Sequence, residues 1–310
     1  MPLNPILRQM FQAIPRLTPD VTPQRFREEF NSAALLTAKA ANEPVHSVED
    51  VAIPGRGGPI RARVYRPGAG DRLPVVVYYH GGGFVVGSIE THDHVCRRIA
   101  RLSGAVVVSV DYRLAPEHKF PAAVEDAYDA AKWVADNRQR LGVGDGIAVA
   151  GDSAGGNLAA AVALMARDRG EDFVKYQVLV YPVVVQTAMP TPSRLEYSTP
   201  EYPILTAQLM AWFAAQYFSR PEDALSPYAS PLLAEPQGLP PALVITAEYD
   251  PLRDEGEMYA AHLRQHGVEA VATRYIGVTH GFINLYPVLE EGKMAISQIA
   301  AAITQKLAEK

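Results

Sequence analysis

The 310-residue sequence contains a single cysteine, Cys96, so it can form neither an intramolecular disulfide nor a metal site built from cysteines. It also lacks an apolar run of about 18 residues, the length that a transmembrane helix requires. Its first residues lack the charged head and the apolar stretch of a signal peptide. From these absences we expect a soluble, cytoplasmic protein with no stable insertion into a membrane.

An excess of positive charge is also missing. The 29 Lys and Arg residues face 34 Asp and Glu residues, which gives a net charge of −5 and leaves no basic block. A phosphate backbone would be repelled on average, so we expect no nucleic-acid partner. With 48% hydrophobic and 20% charged residues, the composition is that of a globular protein able to bury a large core.

Short, unbroken apolar runs predict the fold. Strands that are buried on both faces have this pattern, and helical patterns long enough for right-handed crossovers lie between most of the runs. The runs are residues 75–79, 105–110, 147–150, 178–181, 242–246 and, more weakly, 268–275. Before them, residues 48–65 alternate apolar and polar side chains, which indicates an antiparallel hairpin at a sheet edge. The sequence therefore predicts an α/β fold with a mostly parallel, eight-stranded sheet and helices on both faces.

Two segments do not fit this alternation of strand and helix patterns. Residues 1–45 show helical spacing interrupted by Pro15, Pro19 and Pro23, which predicts short helices. About 60 proline-rich residues separate the fourth and fifth runs, far more than one crossover needs, and they include an amphipathic pattern near residues 205–218. We predict a catalytic core of residues 46–182 and 238–310, and a helical cap formed by residues 1–45 and 183–237.

A serine between glycines follows the third run. Residues 151–156 read Gly-Asp-Ser-Ala-Gly-Gly and directly precede a helical pattern. A sharp strand-to-helix turn needs glycine on each side of the serine, because side chains there would collide with the neighbouring strand and helix. Such a turn would hold Ser153 at a helix N-terminus, where N–H groups favour developing negative charge. A glycine-rich loop with an N-cap serine has the same pattern, so the context must decide.

Three further features supply that context. Residues 80–84 read His-Gly-Gly-Gly-Phe straight after the first run, Asp250 follows the fifth run, and His280 follows the last. Serine, aspartate and histidine thus occur in the chain order of an α/β-hydrolase, each just beyond a strand's carboxyl end. A serine hydroxyl attacks an ester only if an imidazole takes its proton, and a buried carboxylate must orient that imidazole. We predict Ser153, His280 and Asp250 in these roles.

The glycine run predicts an oxyanion hole, since glycines let backbone N–H groups approach a carbonyl oxygen closely. The expected donors are the N–H groups of Gly82, Gly83 and Ala154. We expect His80 and Gly81 to support these donors.

Taken together, these motifs resemble those of the hormone-sensitive-lipase-like esterases, or bacterial family IV, of the α/β-hydrolase fold. The matches are His-Gly-Gly-Gly-Phe at 80–84, Asp-Tyr-Arg-Leu-Ala-Pro-Glu-His at 111–118, Phe-Pro-Ala-Ala at 120–123, Gly-Asp-Ser-Ala-Gly at 151–155, Asp-Pro-Leu-Arg-Asp at 250–254 and His-Gly-Phe at 280–282. The resemblance implies a carboxylesterase that cleaves short- to medium-chain acyl esters through an acyl-enzyme. It implies no cofactor and a small-molecule ester as the partner.

Some assignments have competitors. Asp254 also follows the fifth run, but it falls in the first turn of a predicted helix, where the helix dipole stabilises a carboxylate. We therefore favour Asp250 as the triad carboxylate. Asp152 is expected to stabilise the serine turn by a hydrogen bond. Arg113, Glu117 and His118 are expected to hold the oxyanion loop by hydrogen bonds.

A metal site at the sequence His-Asp-His, residues 92–94, is not expected, because residues two apart point to different faces of a helix. Nucleotide binding is not expected either, since residues 151–153 break the G-x-G fingerprint and there is no P-loop lysine.

The substrate pocket is predicted to be aromatic and aliphatic, formed by Phe84, Leu205, Trp212, Phe213, Phe282 and Ile283. For Leu205, Trp212, Phe213 and Ile283 an ordinary core position fits as well. A peptidase or amidase, and a non-catalytic receptor, are alternatives on the same fold. The sequence leaves monomer and homodimer open.

Overall fold

The computed structural model describes residues 2–13, 21–41 and 43–308, and its centre is a sheet of eight strands. In chain order the strands are β1 (Ser47–Gly55), β2 (Gly58–Arg66), β3 (Leu73–Tyr79), β4 (Val106–Asp111), β5 (Val143–Asp152), β6 (Val174–Val180), β7 (Ala242–Tyr249) and β8 (Ala270–Thr279). Their spatial order is β1-β2-β4-β3-β5-β6-β7-β8. Strand β2 is antiparallel to β1 and β4, and the remaining neighbours are parallel. The predicted α/β-hydrolase fold with a mostly parallel, eight-stranded sheet is confirmed.

The antiparallel edge has a tight turn. Strand β1 pairs with β2 up to Gly55 opposite Gly58, so that only Arg56 and Gly57 connect them. Two-residue connections of this kind suit the twist of a hairpin.

The helices cover both faces of the sheet, as predicted. They are α1 (Pro5–Ala13), α2 (Pro23–Ala40), α3 (Ile89–Ser103), α4 (Ala122–Asp136), α5 (Arg138–Leu141), α6 (Ala154–Asp168), α7 (Pro192–Tyr197), α8 (Ala207–Tyr217), α9 (Arg253–Gln265) and α10 (Glu290–Ala308), with short 3₁₀ helices at Pro221–Leu225, Pro231–Leu233 and Phe282–Leu285. Side chains of α3 and α10 share one hydrophobic cluster, and those of α4, α6 and α9 share another.

The two clusters explain why the central strands have unbroken apolar sequences. In β3, Val75 and Val77 point into the cluster beneath α4 and α6, whereas Val76 points into the cluster beneath α3 and α10. All three side chains are fully buried. Because successive residues of a strand face opposite sides, a strand with a core on both sides favours apolar residues at successive positions.

In the described part of the segment before the sheet there is one short and one longer helix. Helix α1 docks through Leu7, which is fully buried in the α3 and α10 cluster. Helix α2 spans 18 residues, so the expectation of short helices is wrong for it: Pro23 occupies the first turn of α2, where proline is tolerated, and does not interrupt it. The predicted breaks at Pro15 and Pro19 lie outside the described residues.

Residues 183–237, which we call the insertion, connect β6 to β7 and contain α7, α8 and two of the 3₁₀ helices. The division into core and cap stays a prediction. Among the described helices, none combines the length and the apolar character needed to cross a membrane.

Candidate active site

The turn between β5 and α6 holds Ser153 in a strained conformation, with φ 56° and ψ −117°. A Cβ atom on Gly151 would overlap the carbonyl group of Gly155, and one on Gly155 would overlap the carbonyl oxygen of Tyr79. Glycine is therefore required at both positions by close packing against β3 and α6, which is the reason that the sequence pattern suggested.

Ser153, His280 and Asp250 lie in one hydrogen-bonded row. His280 Nε2 is 2.9 Å from Ser153 Oγ, and His280 Nδ1 is 2.8 Å from Asp250 Oδ2. Asp250 is fully buried at the carboxyl end of β7, and its other oxygen accepts a bond from the backbone N–H of Leu252 at 2.8 Å. A buried carboxylate at this distance fixes the orientation of the imidazole and can stabilise its protonated form.

Asp254, the competing carboxylate, binds other residues. Its Oδ2 accepts a bond from the backbone N–H of Ser193 at 2.7 Å, and its Oδ1 accepts one from Arg253 at 2.8 Å. The structure thus brings Asp250, and not Asp254, to His280.

The glycine loop after β3 has a backbone that only glycine adopts easily. Gly82 has φ 127° and Gly83 has φ 59°, and a Cβ on Gly82 would overlap the carbonyl group of Val86. In the described part of the chain, no hydrogen bond of a loop, turn or helix cap joins the N–H group of Gly82, Gly83 or Ala154 to a backbone carbonyl oxygen. Such donors are available to a developing oxyanion.

Behind this loop, the Asp152 carboxylate connects three segments that carry predicted site residues. Asp152 Oδ1 accepts bonds from the N–H of Gly81 at 3.0 Å and from the Tyr78 hydroxyl at 2.8 Å. Asp152 Oδ2 accepts one from Asn284 at 3.3 Å, and His92 Nε2 lies 3.4 Å from Asp152 Oδ1. Burial opposes the ionisation of Asp152, but His92 and the Tyr78 hydroxyl hold its pKa below the ordinary value.

His80 is fully buried at the start of the glycine loop. Burial lowers the pKa of His80 to about 3, so its imidazole is neutral at neutral pH. Its ring stacks on Tyr112 with centroids 4.3 Å apart, and the Tyr112 hydroxyl donates to the His80 carbonyl oxygen at 2.7 Å.

The expectation that Arg113, Glu117 and His118 hold the oxyanion loop needs correction. Asp126 of α4 binds both the Arg113 backbone N–H at 3.0 Å and the Arg113 guanidinium at 2.8 Å, so the Arg113 side chain pairs with α4. Glu117 pairs with Arg27, which binds the Val85 carbonyl oxygen at 2.8 Å, and the exposed His118 donates its backbone N–H to the Leu114 carbonyl oxygen at 2.9 Å. Tyr112, and not its neighbour Arg113, binds the start of the glycine loop, through the bond from its hydroxyl to the His80 carbonyl oxygen. The sequence offered no signal for Tyr78, His92 or Asn284, because their polar atoms meet Asp152 only through tertiary packing.

The predicted pocket residues divide into two groups. Leu205, Trp212 and Phe213 form a cluster with Phe26 of α2, whose ring centroid is 5.1 Å from that of Trp212. Phe213 also lies against the glycine loop, since a Cβ on Gly83 would overlap its ring.

The other predicted pocket residues are core residues. Phe282 and Ile283 are fully buried in the α3 and α10 cluster, so the prediction that they line the pocket is corrected. Phe84 is also buried and stacks on Tyr217 of α8 at 3.9 Å. Each belongs to a loop beside the site, but the apolar side chain turns into the core.

The residues considered for a metal site are occupied by other contacts. His94 Nε2 lies 2.9 Å from the Asn284 carbonyl oxygen, and His92 Nδ1 lies 2.8 Å from the Thr91 hydroxyl. Over residues 2–13, 21–41 and 43–308, no three His, Cys, Asp or Glu side chains are placed to hold a metal ion.

A comparison with protein families matches residues 76–284 to a family described by the alpha/beta hydrolase fold. This match covers most of the chain and confirms the resemblance noted from the sequence. The chain belongs to the hormone-sensitive-lipase-like family of α/β hydrolases.

Known relatives are similar over most of their length. The solved structure of a hyperthermophilic esterase from the archaeon Pyrobaculum calidifontis superimposes with a TM-score of 0.96 at 72% identity, covering 98% of this chain and 99% of that one. Ethyl acetate hydrolase of Pseudomonas putida is 38% identical over 288 residues, covering 91% of this chain and 89% of that protein. Carboxylic ester hydrolase LipN of Mycobacterium tuberculosis is 47% identical over 248 residues, which are 77% of this chain and 65% of LipN.

Proposed function

We propose that this α/β hydrolase is a carboxylesterase that cleaves short- to medium-chain acyl esters through an acyl-enzyme on Ser153. The observation that carries the proposal is the row in which His280 lies 2.9 Å from Ser153 and 2.8 Å from Asp250. These distances are those of a serine nucleophile with its base and the base's orienting carboxylate.

In the acylation step, His280 Nε2 takes the proton of Ser153 Oγ while Oγ forms a bond to the acyl carbon. The carbonyl electrons move onto its oxygen, and the N–H groups of Gly82, Gly83 and Ala154 stabilise that oxyanion. When the oxyanion collapses, the bond to the alkoxy oxygen breaks. His280 gives its proton to the departing alcohol, and the acyl group remains on Ser153.

Deacylation repeats these roles with water. His280 takes a proton from water as its oxygen attacks the acyl carbon, and it returns the proton to Ser153 Oγ when the ester bond breaks. Asp250 keeps the proton of neutral His280 on Nδ1, so that Nε2 is the free base. The buried position of Asp250 strengthens its stabilisation of the imidazolium.

Two observations support a small or medium acyl group. The relative from Pseudomonas putida is named for ethyl acetate, an ester with a two-carbon acyl group. The aromatic cluster of Phe26, Trp212 and Phe213 lies close to the glycine loop and bounds the space available to an acyl chain.

An ester series tests the substrate class. We expect kcat/KM for p-nitrophenyl esters to be highest between acetyl and octanoyl, and to fall at least about tenfold for palmitoyl, whose longer chain would have to extend past the cluster of Phe26, Trp212 and Phe213. The matched p-nitroanilides of the same acids serve as controls and should react far more slowly. Preference for palmitoyl, or anilide cleavage as fast as ester cleavage, would contradict the proposal.

A further inference from the structure

One buried carboxylate takes no part in the proposed chemistry. Glu255, in the first turn of α9, is fully buried. It accepts hydrogen bonds from the backbone N–H groups of Val184 at 2.9 Å and Val185 at 3.4 Å, and from Arg194 Nε at 2.9 Å. Burial raises the pKa of Glu255 to about 7, although Arg194 opposes this shift. A carboxylate at this depth is costly unless its partners are held in place.

Arg194, its partner, belongs to α7 of the insertion and holds the same stretch of chain from the other side. Its Nη1 donates to the Thr187 carbonyl oxygen at 3.2 Å, and its Nη2 donates to the Val185 carbonyl oxygen at 3.1 Å. Residues 184–187 are therefore bound from two sides. Glu255 accepts from their N–H groups, and Arg194 donates to their carbonyl groups. We call this pair the clamp.

The helix ends next to the clamp also cap each other. The Asp254 carboxylate accepts from the N–H of Ser193, and the Ser193 hydroxyl accepts from the N–H of Asp254 at 3.1 Å. The N-termini of α7 and α9 are thus joined by two reciprocal bonds. This arrangement fixes the direction in which the insertion leaves the sheet.

Contacts lead from the clamp to the predicted site. Leu232 N–H donates to the Val184 carbonyl oxygen at 3.0 Å, so the start of the insertion is bonded to a residue near its end. Val183, the residue before the clamped stretch, packs against the cluster of Leu205, Leu209 and Leu252, and Phe213 packs against the same cluster. Phe213 in turn lies against Gly83 of the glycine loop. The position of the clamped stretch thereby determines the position of Leu205 and Phe213 beside the glycine loop.

We propose that Glu255 and Arg194 are positioning residues that hold the insertion against the glycine loop and thereby set the fit of longer acyl chains. This inference rests on the proposed esterase function. An octanoyl chain contacts the wall formed by Leu205, Trp212 and Phe213, whereas an acetyl group is too short to depend on it. A weakened clamp raises KM for the longer ester and leaves the chemical step on the shorter one intact.

The test compares Glu255→Gln with Glu257→Gln. Glu257 lies on the same helix and binds Arg274 and Thr246, so it provides a matched loss of a paired carboxylate away from the insertion. For Glu255→Gln we expect KM for p-nitrophenyl octanoate to rise about tenfold, with kcat for p-nitrophenyl acetate within about twofold of wild type. Glu257→Gln should match wild type for both esters.

An unchanged KM for octanoate in Glu255→Gln would overturn the proposal. So would an equal loss on acetate and octanoate, because the substitution would then act through Asp250 or the fold. If Glu255→Gln does not fold, Arg194→Lys decides, since it keeps the charge and loses the forked contact. It should also raise KM for octanoate, and wild-type values would overturn the clamp. Wild-type protein that cleaves no ester would instead refute the proposed function.

A second readout follows the insertion directly. The chain has two tryptophans, Trp133 and Trp212, so Trp133→Phe leaves Trp212 as the only tryptophan reporter. In that background we expect acrylamide to quench Trp212 fluorescence more strongly in Glu255→Gln than in Glu257→Gln. Equal quenching in the two variants would show that the clamp does not hold α8, and would overturn the proposal.

Discussion

Ser153→Ala is expected to lower kcat for p-nitrophenyl acetate by about 10⁴- to 10⁶-fold. The substitution removes the oxygen that lies 2.9 Å from His280 Nε2, and the remaining oxyanion donors cannot form a covalent intermediate. Alanine fits the space of serine, so the fold should persist. Steady-state kinetics and a thermal melt of the purified variant provide the two measurements.

Ser297→Ala is the matched control for this variant. Ser297 lies on the exposed side of α10, and its hydroxyl donates to the Lys293 carbonyl oxygen at 2.9 Å within the same helix. It should retain wild-type kcat. If Ser153→Ala kept more than a few per cent of the wild-type rate in a folded protein, another nucleophile would have to be found.

The second large effect is expected for Asp250→Asn, which should lower kcat by about 10⁴-fold. An asparagine amide that donates toward His280 Nδ1 favours the tautomer whose proton is on Nε2, and this tautomer cannot accept the proton of Ser153. The amide also gives no charge to stabilise the imidazolium. The measurement is kcat for p-nitrophenyl acetate at saturating ester.

Asp254→Asn makes the same chemical change four residues away and should keep most of the activity on this short ester. Its carboxylate contacts Ser193 and Arg253, and not His280. The opposite ranking, with Asp254→Asn nearly inactive and Asp250→Asn active, would reverse the assignment of the carboxylate.

The sheet was predictable because local sequence determines it. Residues such as Val75, Val76 and Val77 are apolar in succession, and a short run of β-branched residues of this kind is typical of a strand with a core on both faces. The serine turn was predictable because its two glycines, at 151 and 155, stand close together in the sequence, although the contacts that require them include the neighbouring strand β3 as well as α6.

The directions of side chains around the site could not be predicted in the same way. Asp152 binds Gly81 and Asn284, which are 71 and 132 residues away in the chain, and no local pattern records such a contact. Phe282 follows His280 closely, but its ring turns into the core with Tyr181 and Tyr275. Burial of this kind depends on how loops pack after the sheet has formed.

The clamp shows the same difference between local and distant information. Glu255 directly follows the motif of residues 250–254, whose first carboxylate, Asp250, was assigned from its position after a strand. Its partners at residues 184, 185 and 194 belong to the proline-rich insertion, where periodicity is weak. The sequence therefore indicated that the insertion exists, but gave no indication of how it is attached.

Covalent labelling tests the central claim, that Ser153 carries the acyl group, most directly. A p-nitrophenyl phosphonate loses p-nitrophenol when a serine oxygen attacks phosphorus, and it leaves a stable phosphonyl group on that oxygen. We predict that mass spectrometry finds one label per chain, on the peptide containing Ser153, together with complete loss of esterase activity. A label on another residue, or full esterase activity in protein labelled at Ser153, would contradict the proposed mechanism.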